Sequence, residues 1–338
     1  MRAKSRAAMS RATDVASTIA GAVATVLLFP AVLSGQGLGR EALGIFPADT
    51  QEIAYVNLAG LRSTPEYPQI RQRLLGRRLR DFQDFLRSAG TDPDKDLEEV
   101  VLGWRSAASG STGFFGLAQG HFDPERMHNF LVQRQLPIRQ YGGLELYASG
   151  TGEDSDDLFF VFLSSSSAAF GPLRDLKEMM DVRGGTRPAL DTGPALAEWE
   201  AELEGTAAQW GVATGQAAAN AAAPWLAAGA SGPKVPEDPR VIFGPVRAVL
   251  YRVDWGSSVT AHVSIVCQSD EAAAALSVLL GAWRDSHPAG GNGRAPSAFD
   301  AMVQGLGIQE NGSRVELTAS GPLEALDQIL RGSMGGGL

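Results

Sequence analysis

The chain is short of the residues that most chemistry uses. It has one cysteine and four histidines in 338 residues, and its lysines are limited to Lys4, Lys95, Lys177 and Lys234. With Cys267 alone, no disulfide forms within the chain, so in an oxidising compartment the fold rests on its core. Cys267 ends the alternating run Val263, Ile265, Cys267, the pattern of a buried strand residue and not of an exposed thiol. No C-x-x-C or H-E-x-x-H is present, and neither is a G-x-S-x-G elbow or a G-x-x-x-x-G-K phosphate loop. No cofactor is implied, and no catalytic residue is assigned.

Charge is missing in one place above all. From Val15 to Leu33 there is none, while Arg2, Lys4, Arg6 and Arg11 precede that stretch. A positive start before an uncharged apolar stretch is the pattern of a secretory signal or signal anchor. About 20 apolar residues span a bilayer, so residues 15–33 are just long enough to remain as an anchor. Pro30 and the small residues at Ser34 and Gly35 fit a processed leader instead. The expectation is export across the cytoplasmic membrane to a periplasmic, secreted or membrane-anchored site.

The net charge is −9, and residues 1–35 carry four positive charges against Asp14, so the rest of the chain is more acidic still, at −12. An acidic body disfavours nucleic acid and anionic lipid surfaces, which select basic patches. Hydrophobic content of 44% and charged content of 20% are those of a folded protein.

Beyond the leader the pattern is mixed α and β. Strands are expected at 53–61, 100–104, 113–119, 144–147 and 158–163, and helices at 68–89, 123–135, 172–180 and from Ser269 to Trp283. Pro93 after Thr91 or Asp92, and Pro124 after Asp123, mark helix starts. GPLRDLKEMM at 171–180 and GPLEALDQIL at 321–330 each follow a strand-like stretch, so the repeated unit reads strand, strand, helix. Asn311-Gly312 is a type I′ hairpin signal. The expected fold class is α+β, with antiparallel sheets, helices packed on one face and repeated strand-strand-helix units in two halves.

The expected organisation is a leader at 1–35, an α+β domain at 46–204, an Ala/Gly/Pro-rich connection at 205–240, an α+β domain of two units at 241–331 and a flexible tail at 332–338. Trp210 and Trp225 are read as pegs that dock the connection.

PADT at 47–50, YVNLAGL at 55–61 and GHFDPE at 120–125 resemble a loose group of exported bacterial proteins of unknown function. The resemblance covers most of the chain after the leader. It implies export and transfers no site residue.

The candidate clusters are acidic, basic and hydroxyl. Glu153, Asp154, Asp156 and Asp157 are the metal candidates, four carboxylates in one loop that could hold Ca²⁺. Asp92, Asp94 and Asp96 have calcium-loop spacing. Leu97 stands where that loop needs glycine, so helix capping is the preferred reading. Arg71, Arg73, Arg77, Arg78, Arg80 and Arg87 are read as a solvated helix face whose arginines pair with acids, the alternative being an anionic partner. The run Ser164 to Ser167 is read as a turn, and His262 as facing away from Val263 and Ile265.

Functionally the chain is expected to be a non-enzymatic envelope protein with a binding or structural role. Its partner would be an envelope protein, with the membrane reached through an uncleaved residue 15–33 segment. The alternatives are a hydrolase whose site is assembled from distant residues, for example His121 or His128 beside Asp123 or Glu125, and a carrier of a small apolar ligand.

Overall fold

The computed structural model describes residues 37–68, 77–105, 114–153, 157–192, 194–203, 205, 207–214, 217–218, 245–285 and 298–325. The fold class is α+β: helices with antiparallel sheet. The described residues divide into two compact bodies, one within residues 37–67 and 77–209, the other within residues 210–325. Among the described residues no helix is long and apolar enough to cross a membrane. The expected leader and its 15–33 segment lie outside them, as do Trp225, His287, Asp154, Asp156 and the tail at 332–338.

In the first body the elements are α1 (Leu38–Ile45), β1 (Glu52–Asn57), α2 (Leu58–Arg62), α3 (Arg77–Ser88), α4 (Pro93–Asp96), β2 (Leu97–Trp104) and β3 (Phe114–Gly120). There follow α5 (Pro124–Gln133), β4 (Ile138–Tyr141), β5 (Leu144–Ala148), β6 (Leu158–Phe162), β7 (Ser167–Pro172), α6 (Leu173–Arg183) and α7 (Pro194–Leu203). Its strands pair in the order β1-β2-β3-β7-β6-β5-β4, antiparallel at every step. The strand expected to run to Leu61 stops at Asn57, whose side chain accepts the Gly60 N–H at 2.8 Å and so starts α2. An asparagine that bonds its own following backbone converts a strand end into a helix start.

Cross-strand partners lie on one face of a sheet, and here both faces are buried. One row runs through Val101, Leu117, Ala169 and Val161, all at most 1% exposed. The next runs through Leu102, Gly116, Phe170, Phe160 and Tyr147. On this second face α5 supplies Met127 and Leu131, and Phe85 from α3 meets Phe160 and Phe130 edge-on at 6.0 and 6.1 Å. Gly116 has no side chain because Phe170 lies across it; a Cβ there would fall 2.6 Å from the ring. On the opposite face Phe46, at the end of α1, meets Phe115 at 5.0 Å, and Arg105 lies over the Phe115 ring while bonded to α6. Helices therefore cover both faces of this sheet, where the sequence pattern suggested one. The uninterrupted apolar run LFFVF of β6 fits this, since alternation disappears once both faces are buried.

The second body holds β8 (Gln209–Thr214), β9 (Val246–Trp255), β10 (Val259–Cys267), α8 (Asp270–Asp285), α9 (Ala298–Gln304), β11 (Gly307–Asn311) and β12 (Arg314–Gly321). Its strands pair in the order β8-β9-β10-β12-β11. Leu276, Leu280 and Trp283 from α8 and Val303 from α9 pack with Val249, Ile265, Val315 and Leu317 of the sheet. Ser269 caps α8 as expected, its hydroxyl accepting the Ala272 N–H at 3.2 Å. The 205–240 segment differs from expectation: Gln209–Thr214 is a strand of the sheet, and Trp210 is a core residue, 2% exposed, that pairs with Arg252. The hairpin also differs. Its two loop residues are Gly312 and Ser313, and only Gly312 has positive φ, at +57°. Glycine first in a two-residue loop is the type II′ pattern, not I′.

Leu131 is fully buried under the aromatic face of the first body. Leu131→Ala is expected to cost about 2–5 kcal/mol, read as a lower midpoint of chemical unfolding. Val278→Ser on the exposed side of α8 is expected to change the midpoint little, within about 0.5 kcal/mol.

Candidate functional site

Two places in the first body concentrate polar groups at the surface, and both involve α5. The helix begins where the sequence placed it: the Asp123 carboxylate accepts the Arg126 N–H at 2.9 Å, and Pro124 occupies the first turn, where its missing N–H costs nothing. It ends at Gln133, with Gln135 in the left-handed region at φ +54°.

The first place centres on Glu145 of β5. Its Oε2 lies 3.0 Å from His128 Nδ1 and accepts the Tyr147 hydroxyl at 2.7 Å, while Oε1 accepts Gln140 Nε2 at 3.0 Å. These hydrogen bonds, the Tyr147 one first, hold the Glu145 carboxyl below its ordinary range, although partial burial opposes them. Tyr147 is pushed up, first by burial and then by the carboxylate it bonds. His128 is thus oriented through Nδ1 by a carboxylate that is itself fixed, which leaves Nε2 on the opposite side of the ring. The sequence named His128 but placed it beside Asp123 or Glu125; the structure puts it on Glu145. His121 also avoids those acids: its Nδ1 is 3.6 Å from Glu98, and it is 80% exposed. Glu145 and Tyr147 stand two apart on one strand and so share a face, the one local signal that could have drawn attention to them.

The second place is an open depression between α5 and the turn after α3. It is lined by Ser88, Ala89, Asp123, Glu125, Arg126, Asn129, Phe130 and Gln133, and its volume is about 430 Å³. Gly90 follows Ala89 and lies against Arg126. With φ at +93° this position favours glycine, and a Cβ there would fall 2.2 Å from Arg126 Nε.

The acidic loop turns part of its charge inward. The Asp157 carboxylate accepts the Gly152 N–H at 2.7 Å and the Thr151 hydroxyl at 3.2 Å, and lies against Gly150. Glu153 donates its backbone N–H to the Thr151 hydroxyl at 3.4 Å. Among the described residues no three His, Cys, Asp or Glu side chains converge on a metal position. Asp92 caps α4 by accepting the Asp94 N–H at 3.2 Å, and Asp96 accepts the Asp92 N–H at 2.6 Å, so this trio acts at the helix start. Arg87 meets Asp84 at 2.9 Å and Asp94 at 2.7 Å, the pairing expected for the arginine-bearing helix. Arg71 and Arg73 lie outside the described residues. Ser164 to Ser167 form the β6–β7 turn, Leu163 N–H bonding the Ser167 carbonyl at 2.9 Å. His262 lies on the polar face of its sheet, with Asp254 3.2 Å from Nε2.

No family model matches this chain, and no curated protein matches it. Solved structures similar to it include crystal forms I and IV of TP0453, each at 13% identity with a TM-score of 0.48. Each comparison covers 86% of this chain and 96% of that one. A likeness at this level carries no argument about function.

Two further carboxyls in this body stand at the β1–β2 ladder, Glu99 buried and Glu52 partly exposed. Glu99, 7% exposed, accepts a hydrogen bond from Tyr55, yet burial pushes its carboxyl up. Burial pushes Glu52 up to about 7. A raised carboxyl pKa means that the fold binds the proton more tightly than the unfolded chain, which ionises near 4.5. Glu52 therefore weakens the fold progressively as pH rises from about 4.5 to about 7, with no further change above that. Thermal unfolding of Glu52→Gln against the natural chain is expected to show equal stability at the acid end of that window and a more stable variant at its alkaline end.

Proposed function

We propose that this chain is an exported, non-enzymatic envelope protein with a binding or structural role. The observation that carries the reading is how the charged clusters of the described residues are used. Arg105 sits in a network with Asp49, Asp175 and Glu178; Arg87 pairs with Asp84 and Asp94; Asp92, Asp123 and Asp157 bond backbone N–H groups. These groups hold the scaffold, and the concavity beside α5 is open and polar, a shape suited to a protruding side chain. The N-terminal pattern of Arg2 to Leu33 supports export, with the membrane reached through residues 15–33 where they are retained.

The architecture is read in the same way. Strand, strand, helix recurs as β2-β3-α5, β6-β7-α6 and β9-β10-α8, each with antiparallel strands. That recurrence supports two halves built from one kind of unit, with helices on one face retained in the half that carries α8 and α9.

Crosslinking the tagged full chain in its native envelope, then purifying and identifying what is attached, is expected to yield one dominant envelope protein. Repeated absence of any enriched partner counts against the reading.

One observation favours the hydrolase alternative, the His128–Glu145 pair, because a histidine oriented by a carboxylate is the base of many acyl-transfer sites. On that reading the purified protein cleaves p-nitrophenyl acetate faster than buffer does, and His128→Ala returns the rate to that of buffer. A natural chain no faster than buffer removes the alternative.

A further inference from the structure

We infer that the depression between α5 and the α3 turn is where the partner engages, and that it receives an acidic side chain of a partner polypeptide on Arg126. The inference rests on the binding reading above and names the chemistry of the contact. Arg126 has no carboxylate partner among the described residues, in contrast to Arg87 and Arg105 in the same body. Arg126 is exposed, and one side of its side chain packs on Gly90. The side chain passes across Gly90, with Cδ, Nε and Cζ all within 3 Å of where a Cβ would stand. Its own backbone N–H is fixed by Asp123. A guanidinium packed against backbone on one side loses less freedom on pairing than one free on all sides, and its planar fork donates two parallel hydrogen bonds to a carboxylate.

The rest of the lining narrows the partner. Asn129 and Gln133 follow Arg126 at three and seven residues, so their amides lie along the same side of the helix and can bond the carboxylate or its backbone. Phe130 supplies an apolar wall that fits the stem of a glutamate. Asp123 and Glu125 add two negative charges beside Arg126, which favour a cationic group next to the entering carboxylate. The complement of that alternation is an acidic residue beside a basic one, whereas a densely charged anion such as phosphate meets repulsion.

The test is titration of the ¹⁵N-labelled full chain with the dipeptide acetyl-Glu-Lys-amide, following the arginine Nε–Hε signals. The expected result is a saturable shift of the Arg126 signal that leaves the Arg105 signal in place and is absent with acetyl-Gln-Lys-amide. Arg126→Lys, which keeps the charge but not the fork, is expected to weaken binding by about tenfold. Gly90→Ala is expected to weaken it too, with Arg126 still present. An Arg126 signal that does not move up to the solubility limit, or that moves equally with the Gln peptide, overturns the inference. Crosslinking with Arg126→Ala separates this failure from failure of the binding reading. A partner captured equally by variant and natural chain leaves that reading standing and removes this site, whereas no partner with either chain removes the reading itself.

Discussion

The first body depends on one buried guanidinium. Arg105 follows directly on the end of β2 and is 8% exposed. It meets Asp175 and Glu178 of α6, the latter at 2.5 Å, and Asp49 in the turn before β1 at 3.2 Å. Burial works against its charge, and the bonds to Glu178 and Asp175 more than offset that, so its pKa is held above the ordinary arginine value. Removing a charge from water costs several kcal/mol, and attraction in the interior repays it only where the geometry is good. Here the acids are themselves braced: Arg187 lies 3.0 Å from Glu178, and Arg174 lies 3.5 Å from Asp175. A strand end, a turn and a helix distant in sequence are thereby fixed to one point. The Phe115 ring beneath Arg105 joins that point to the apolar face of the sheet.

Such a network explains which parts of the fold could be read from residues alone. Caps were legible because their chemistry is local. Asp123 with Pro124, Asp92 with Pro93, and Ser269 each bond a backbone N–H two or three residues on, and each stands where a helix begins. Most strands were legible from alternation or apolar content. What failed depended on distant context. Asn57 ends β1 early because its side chain reaches Gly60, a choice that the apolar run IAYVNLAGL does not reveal. Trp210 looked like a peg in a linker because small residues surround it, and only pairing with β9 makes the segment a strand. Propensity describes the segment, whereas pairing decides it.

The same distinction governs the candidate sites. His128 was visible as a titratable residue, but its partner was sought on its own helix, where i and i+3 neighbours lie close. The partner is Glu145, brought from a strand by the packing of α5 on the face that carries Tyr147 and Phe160. Arg126 was not singled out at all. Its place depends on Gly90, 36 residues earlier, and nothing in the sequence links a glycine after one helix to an arginine on the next. Of the four carboxylates proposed for calcium, Asp157 bonds its own loop, so its negative charge organises a turn.

Several charges among the described residues are matched, and that bears on how an acidic protein keeps a specific surface. A net charge of −9 repels other acidic surfaces at long range, an effect that salt screens beyond about 8–10 Å. Recognition of an acidic group must then come from a local, preorganised cation and not from the overall field. Arginines such as Arg87 and Arg105 cannot supply it, because neighbouring carboxylates already bond them. A guanidinium set against a glycine and bordered by amides can, because its bonds act at contact distance, where screening is weak. On the inference above, the overall charge would limit the partners that approach, and Arg126 would distinguish among those that reach the surface.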